Sequence, residues 1–106
     1  MSKAMQMIVK GNYNMNFELK DLYDELMNNH EEEFIYNNKT YILQPEVKGK
    51  KEYLVIYSLD GEYLAKEEIK NGVIDKSLID KILNTKCFDG KSFIEIKNNI
   101  EITSTF

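Results

Sequence analysis

Glu33-Phe34-Ile35-Tyr36-Asn37-Asn38-Lys39-Thr40-Tyr41-Ile42-Leu43-Gln44 is the stretch that decides the fold. Two short runs rich in aromatic and β-branched residues flank a pair of asparagines. Asparagine tolerates the positive φ that both central residues of a two-residue hairpin turn require. The stretch therefore reads as two antiparallel strands, Glu33–Tyr36 and Thr40–Gln44, with Pro45 ending the second.

Working outward, Val47-Lys48-Gly49-Lys50-Lys51 reads as a lysine-rich loop. Tyr53-Leu54-Val55-Ile56-Tyr57 follows, apolar on both faces, and is the candidate central strand within Glu52–Ser58. Asp60-Gly61 is a hairpin signal, and Glu62–Lys66 returns beside it. Upstream, Leu19, Leu22, Tyr23, Leu26 and Met27 recur at helical spacing. They predict a helix over Phe17–Asn29 with Asn16 as its cap and Glu18 and Asp21 in its first turns. Downstream, Leu78, Ile79, Ile82 and Leu83 predict a helix over Asp75–Asn84. The expected fold is α+β, a three- or four-stranded antiparallel sheet packed on one face by two or three short helices.

Two segments stay open. Met5, Met7 and Val9 within residues 1–15 permit either a short edge strand or a frayed tail. From Ser92 to Asn98, Phe93, Ile96 and Ile100 fit a helix, whereas Ile94, Ile96, Ile100 and Ile102 about Asn98-Asn99 fit a hairpin.

The length of 106 residues suits a single domain, and 42% hydrophobic with 30% charged residues suits a packed core rather than disorder. One cysteine, Cys87, excludes an internal disulfide, so a reducing, cytoplasmic setting is expected. No apolar run approaches the ~20 residues of a membrane span. The net charge is −4 and all 14 basic residues are lysine. An acidic chain without arginine lacks the usual bidentate reader of phosphate and guanine, which argues against direct nucleic-acid binding and against anionic membranes.

Catalytic chemistry finds few candidates. His30 beside Glu31-Glu32-Glu33 suggests metal ligands, but consecutive acids point in different directions and do not converge on one ion. A nucleophilic pair would have to use Cys87 and His30, and Cys87 beside Phe88 fits a small buried thiol better than a reactive thiolate. The five glycines are scattered, so no phosphate loop exists. No catalytic residue, metal or cofactor is expected. What remains is a binding surface for a protein partner. Tyrosine is favoured at protein interfaces, and Tyr53, Tyr57 and Tyr63 would gather on one sheet face. Glu31, Glu32, Glu33, Asp60, Glu62, Glu67 and Glu68 would supply negative charge near strand ends and turns, suited to a basic partner.

The hairpin Glu33–Pro45 and the stretch Asp89-Gly90-Lys91-Ser92-Phe93-Ile94-Glu95-Ile96 together resemble a loose group of small proteins encoded by phages and mobile elements of low-GC bacteria. Asn38 stands where that group has glycine, and Lys97 where an aromatic is common. The resemblance implies a closing helix at Ser92–Asn98. It also implies an accessory role of the anti-CRISPR kind, in which a small acidic protein binds and inhibits a defence nuclease that has a basic surface. A structural or regulatory binding module of a phage or plasmid is the alternative it leaves.

Overall fold

In the computed structural model the described residues are 18–105. The expectations for residues 1–15, the Asn16 cap and the helix start at Phe17 lie outside them. The element order is α1 (Leu19–Met27), β1 (Glu32–Tyr36), β2 (Lys39–Lys48), β3 (Lys51–Ser58), β4 (Tyr63–Ile69), α2 (Lys76–Leu83), α3 (Phe93–Ile96) and β5 (Glu101–Thr105). The fold is α+β, with five antiparallel strands in the order β4-β3-β2-β1-β5. Four strands form a meander. The fifth returns, after the helices, to the far edge beside β1.

Tight turns set the register. Asn37 and Asn38 both take positive φ, 50° and 64°, so Tyr36 pairs with Lys39 across a two-residue turn. The expected lysine-rich loop is likewise only Gly49-Lys50, because Gly49 at φ 66° lets Lys48 pair directly with Lys51. Pro45 does not end β2, which runs on to Lys48 opposite β3. Past Leu43 β2 has no partner on its β1 side among the described residues, and an unpaired edge tolerates a missing N–H. The centre of the sheet is consequently β2, while β3 is interior and one place nearer the edge.

Strand alternation then sorts the side chains. Cross-strand partners put Phe34, Tyr41, Leu43, Leu54, Ile56 and Ala65 on one face. That face joins Leu22 and Leu26 of α1, Ile79, Ile82 and Leu83 of α2 and Phe93 and Ile96 of α3 in a single core. Phe34 is fully buried at its centre. It stacks on Tyr41 at 5.5 Å and meets Phe93 edge-on at 5.2 Å and Phe88 at 6.1 Å. Each such pair adds about 0.5–1.5 kcal/mol beyond area burial.

The helix ends are closed by specific bonds. Glu18 is the N-terminal cap of α1, and its side chain makes no capping bond. At the other end Asn29 takes φ 64°, and the N–H groups of Asn29 and His30 donate to the carbonyls of Leu26 and Glu25, both at 3.0 Å. This is a Schellman closure with asparagine in the glycine position. Asp75 caps α2 by accepting from the Leu78 N–H at 2.9 Å. The hydroxyl of Tyr23 on α1 donates to Asp80 on α2, and Lys76 sits 3.2 Å from the same carboxylate.

Of the two readings of the C-terminal region the helix holds and the hairpin does not, because β5 pairs with β1 rather than with residues 94–96. Ser92 and Glu95 form a capping box: Ser92 Oγ accepts from the Glu95 N–H at 3.2 Å, and Glu95 Oε1 accepts from the Ser92 N–H at 2.8 Å. The helix therefore forms, and a 3-10 turn at Lys97–Asn99 carries it into β5, the unexpected fifth strand.

Replacing Ser92 with Ala removes a buried cap, so the protein should lose about 1 kcal/mol of stability in urea melts. The helix clip should appear in pH-dependent melting. The Tyr23 hydroxyl is pushed up to about 12, first by burial and then by its bond to Asp80, while that same bond holds the Asp80 carboxyl below its usual range. A raised acid stabilises the fold below its unfolded value near 10 and loses that contribution as pH climbs through about 12. A depressed carboxyl contributes above its unfolded value near 3.8 and loses its contribution as pH falls through the folded value. The thermal midpoint should fall at both extremes, and Tyr23→Phe should flatten the alkaline limb.

Candidate protein-binding face

The other sheet face carries a different set of side chains. Cross-strand rows place Glu33, Ile42, Tyr57 and Tyr63 together, then Gln44, Val55 and Lys66, then Glu46, Tyr53 and Glu68. None of the described helices packs on this face. Ile42 and Val55 are buried here but stand outside the core cluster.

Tyr63 reaches across this face. A bulge at Ile56/Tyr57 brings Tyr63 opposite Tyr57, and the two rings stack at 5.2 Å. The Tyr63 hydroxyl donates to Glu46 Oε2 at 2.7 Å. Tyr63 stands on β4 and Glu46 on β2, so the ring lies across β3, the strand of Val55. Val55 is 0% exposed, whereas Tyr63 itself is 46% exposed.

Polar contacts continue along the face. The Gln44 amide, oriented so that both of its ends are satisfied, donates to Glu31 Oε2 at 3.1 Å and accepts from the Tyr57 hydroxyl at 3.2 Å. Burial, then the negative charges of Glu31 and Glu46, raise the Tyr57 hydroxyl above its usual range. The bond to Glu46 is the first cause of the upward shift at Tyr63. Lys66 Nζ lies 4.9 Å from the centre of the Tyr53 ring and 5.9 Å from that of Tyr63, and Lys48 Nζ lies 5.8 Å from Tyr63. Lys51 approaches Glu68 at 3.9 Å.

The candidate residues thus divide into four groups. Tyr53, Tyr57, Tyr63, Glu31, Glu33 and Glu68 share the outer face. Asp60 and Glu62 lie in the β3–β4 loop at the strand ends. There Asp60 accepts from Ser58 Oγ and from the Glu62 N–H at 3.4 Å, which holds its carboxyl below the usual range. Glu67 belongs to the helix side, opposite Leu54, and reaches Lys81 of α2 at 3.5 Å. Glu32 is the correction: it is 3% exposed and shares the inner face with Phe34 and Leu43, so it is no part of the surface. Its two-residue spacing from Phe34 already carried that signal. Gln44, Glu46, Lys48 and Lys66 were missed. They become readable only once the hairpin register is known.

The nucleophile candidates do not face this surface. His30 Nδ1 contacts Glu25 at the end of α1. Cys87 lies between α2 and α3, half-buried against the core, and burial pushes its thiol up to about 11. Among the described residues no group of three or more His, Cys, Asp or Glu side chains comes together as a metal site, and no helix is long and apolar enough to cross a membrane. No protein-family model, curated protein or solved structure matches this chain.

The raised thiol gives a direct measurement. At pH 8 the thiolate fraction of Cys87 should be about a hundredfold below that of a cysteine with the ordinary value of 9.0, and alkylation by iodoacetamide should slow accordingly until the protein is unfolded in urea.

Proposed function

We propose that this protein is a non-enzymatic binding protein and that the outer sheet face is its contact surface. The observation that carries the reading is the gathering of Tyr53, Tyr57 and Tyr63 on a face that no described helix covers. Aromatic side chains with a polar tip supply contact area at low entropic cost, which is why they dominate interface hot spots. Glu31, Glu33 and Glu46 around them favour a basic partner. The resemblance to small mobile-element proteins makes the partner a nuclease of a bacterial defence system, inhibited by occupation of its basic nucleic-acid surface.

The test is made in a host with an active defence nuclease. The wild-type protein should raise transformation by a targeted plasmid and should co-purify with the nuclease. A Glu31→Lys/Glu33→Lys variant, which reverses charge on the face and whose folding is checked by circular dichroism, should lose both effects. Capture of an assembly or regulatory protein of the mobile element would overturn the nuclease assignment and keep the binding face. No captured partner and unchanged interference would overturn the whole reading.

A further inference from the structure

The outer face already holds a cation on its own rings. Lys66 is exposed and stands opposite Val55, and its ammonium rests 4.9 Å from the Tyr53 ring centre and 5.9 Å from Tyr63. Lys51 and Lys81 are paired with carboxylates, whereas Lys66 is in no ion pair among the described residues. Its seat is therefore made by the aromatic faces themselves. Glu46 sits beside that seat, with Oε2 taken by Tyr63. The chain contains no arginine, so the slot can be filled from within only by lysine.

We propose that the slot between Tyr53 and Tyr63 is the seat of an arginine side chain from the partner, and that Lys66 is its internal stand-in. The proposal rests on the reading of the outer face as a binding surface and names the chemistry that face selects. A guanidinium is planar and less strongly hydrated than an ammonium, so it stacks on tyrosine better than the lysine it displaces. Glu46 can receive the N–H groups at the edge of the stacked plane. The face is net acidic: Glu31, Glu33 and Glu46 outnumber Lys48 and Lys66, while Lys51 offsets Glu68. A second copy of this chain has no arginine to offer, which makes the occupant a different protein.

The probe is an (Arg-Gly)4 peptide, with (Gln-Gly)4 as control, titrated at low ionic strength into protein whose tyrosine rings are labelled for NMR. The rings of Tyr53 and Tyr63 should shift with the arginine peptide alone. Lys66→Ala empties the slot and should tighten binding about two- to fivefold, and Tyr53→Leu, which keeps apolar cover, should weaken it by a similar factor. Lys91→Ala removes the same charge outside the sheet, next to α3, and should tighten binding less than Lys66→Ala does. Equal tightening by the two lysine variants would reduce the effect to net charge and overturn the proposal. So would unmoved ring signals, or a dT10 oligonucleotide shifting the rings where the arginine peptide does not. If the peptide result is negative while nuclease inhibition persists, the slot falls and the binding face stands. If the peptide binds as expected but no nuclease is captured, the partner assignment falls and the slot stands.

Discussion

The structure depends on the burial of Phe34. This ring sits on β1, the strand that pairs with both β2 and β5, and it touches Tyr41, Phe88 and Phe93. Through those contacts one side chain joins the meander to the turn after α2 and to the closing helix. Phe88 also meets Tyr36 and Tyr41, so the cluster locks the first hairpin to the C-terminal region on two strands. With this inner face committed to the helices, alternation leaves the remaining residues of each strand for the outer face. The tyrosine face is thus a by-product of the register that buries Phe34.

The same register explains what could be read in the sequence. Asn37-Asn38 and Gly61 marked their turns because positive φ is costly for most residues and cheap for these. The amphipathic spacing of Leu22, Leu26, Ile79, Ile82 and Leu83 marked α1 and α2. Pro45 misled, since its cost depends on whether a partner strand faces it, and that is set by the length of β1. The fifth strand was hidden because Ile100 and Ile102 follow directly on a helix with no glycine or proline between, so one apolar spacing served two structures.

The candidate face was partly legible for a related reason. Tyr53 and Tyr57 are two residues apart from Val55 on one strand, and local alternation puts them together. Tyr63 reaches them only through the bulge at Ile56/Tyr57. Glu46 and Lys66 join only through pairing of three strands. Acidity alone gave a poorer guide. Of three consecutive acids, Glu31 and Glu33 lie on the outer side, and Glu32 is sealed inside with Phe34.

The return of β5 to β1 also shapes how the chain reaches its native state. The four-stranded meander closes through turns of a few residues, and each hairpin can zip at little cost in loop entropy. The bond from the Thr103 hydroxyl to Glu33 instead spans 70 residues of sequence. That closure carries the largest loop entropy of the described pairings, and it needs α2, α3 and the Phe34 cluster already near their places to offset it. The sheet accordingly has a local part that can assemble from its own turns, and an outermost strand whose docking records that the helices have packed.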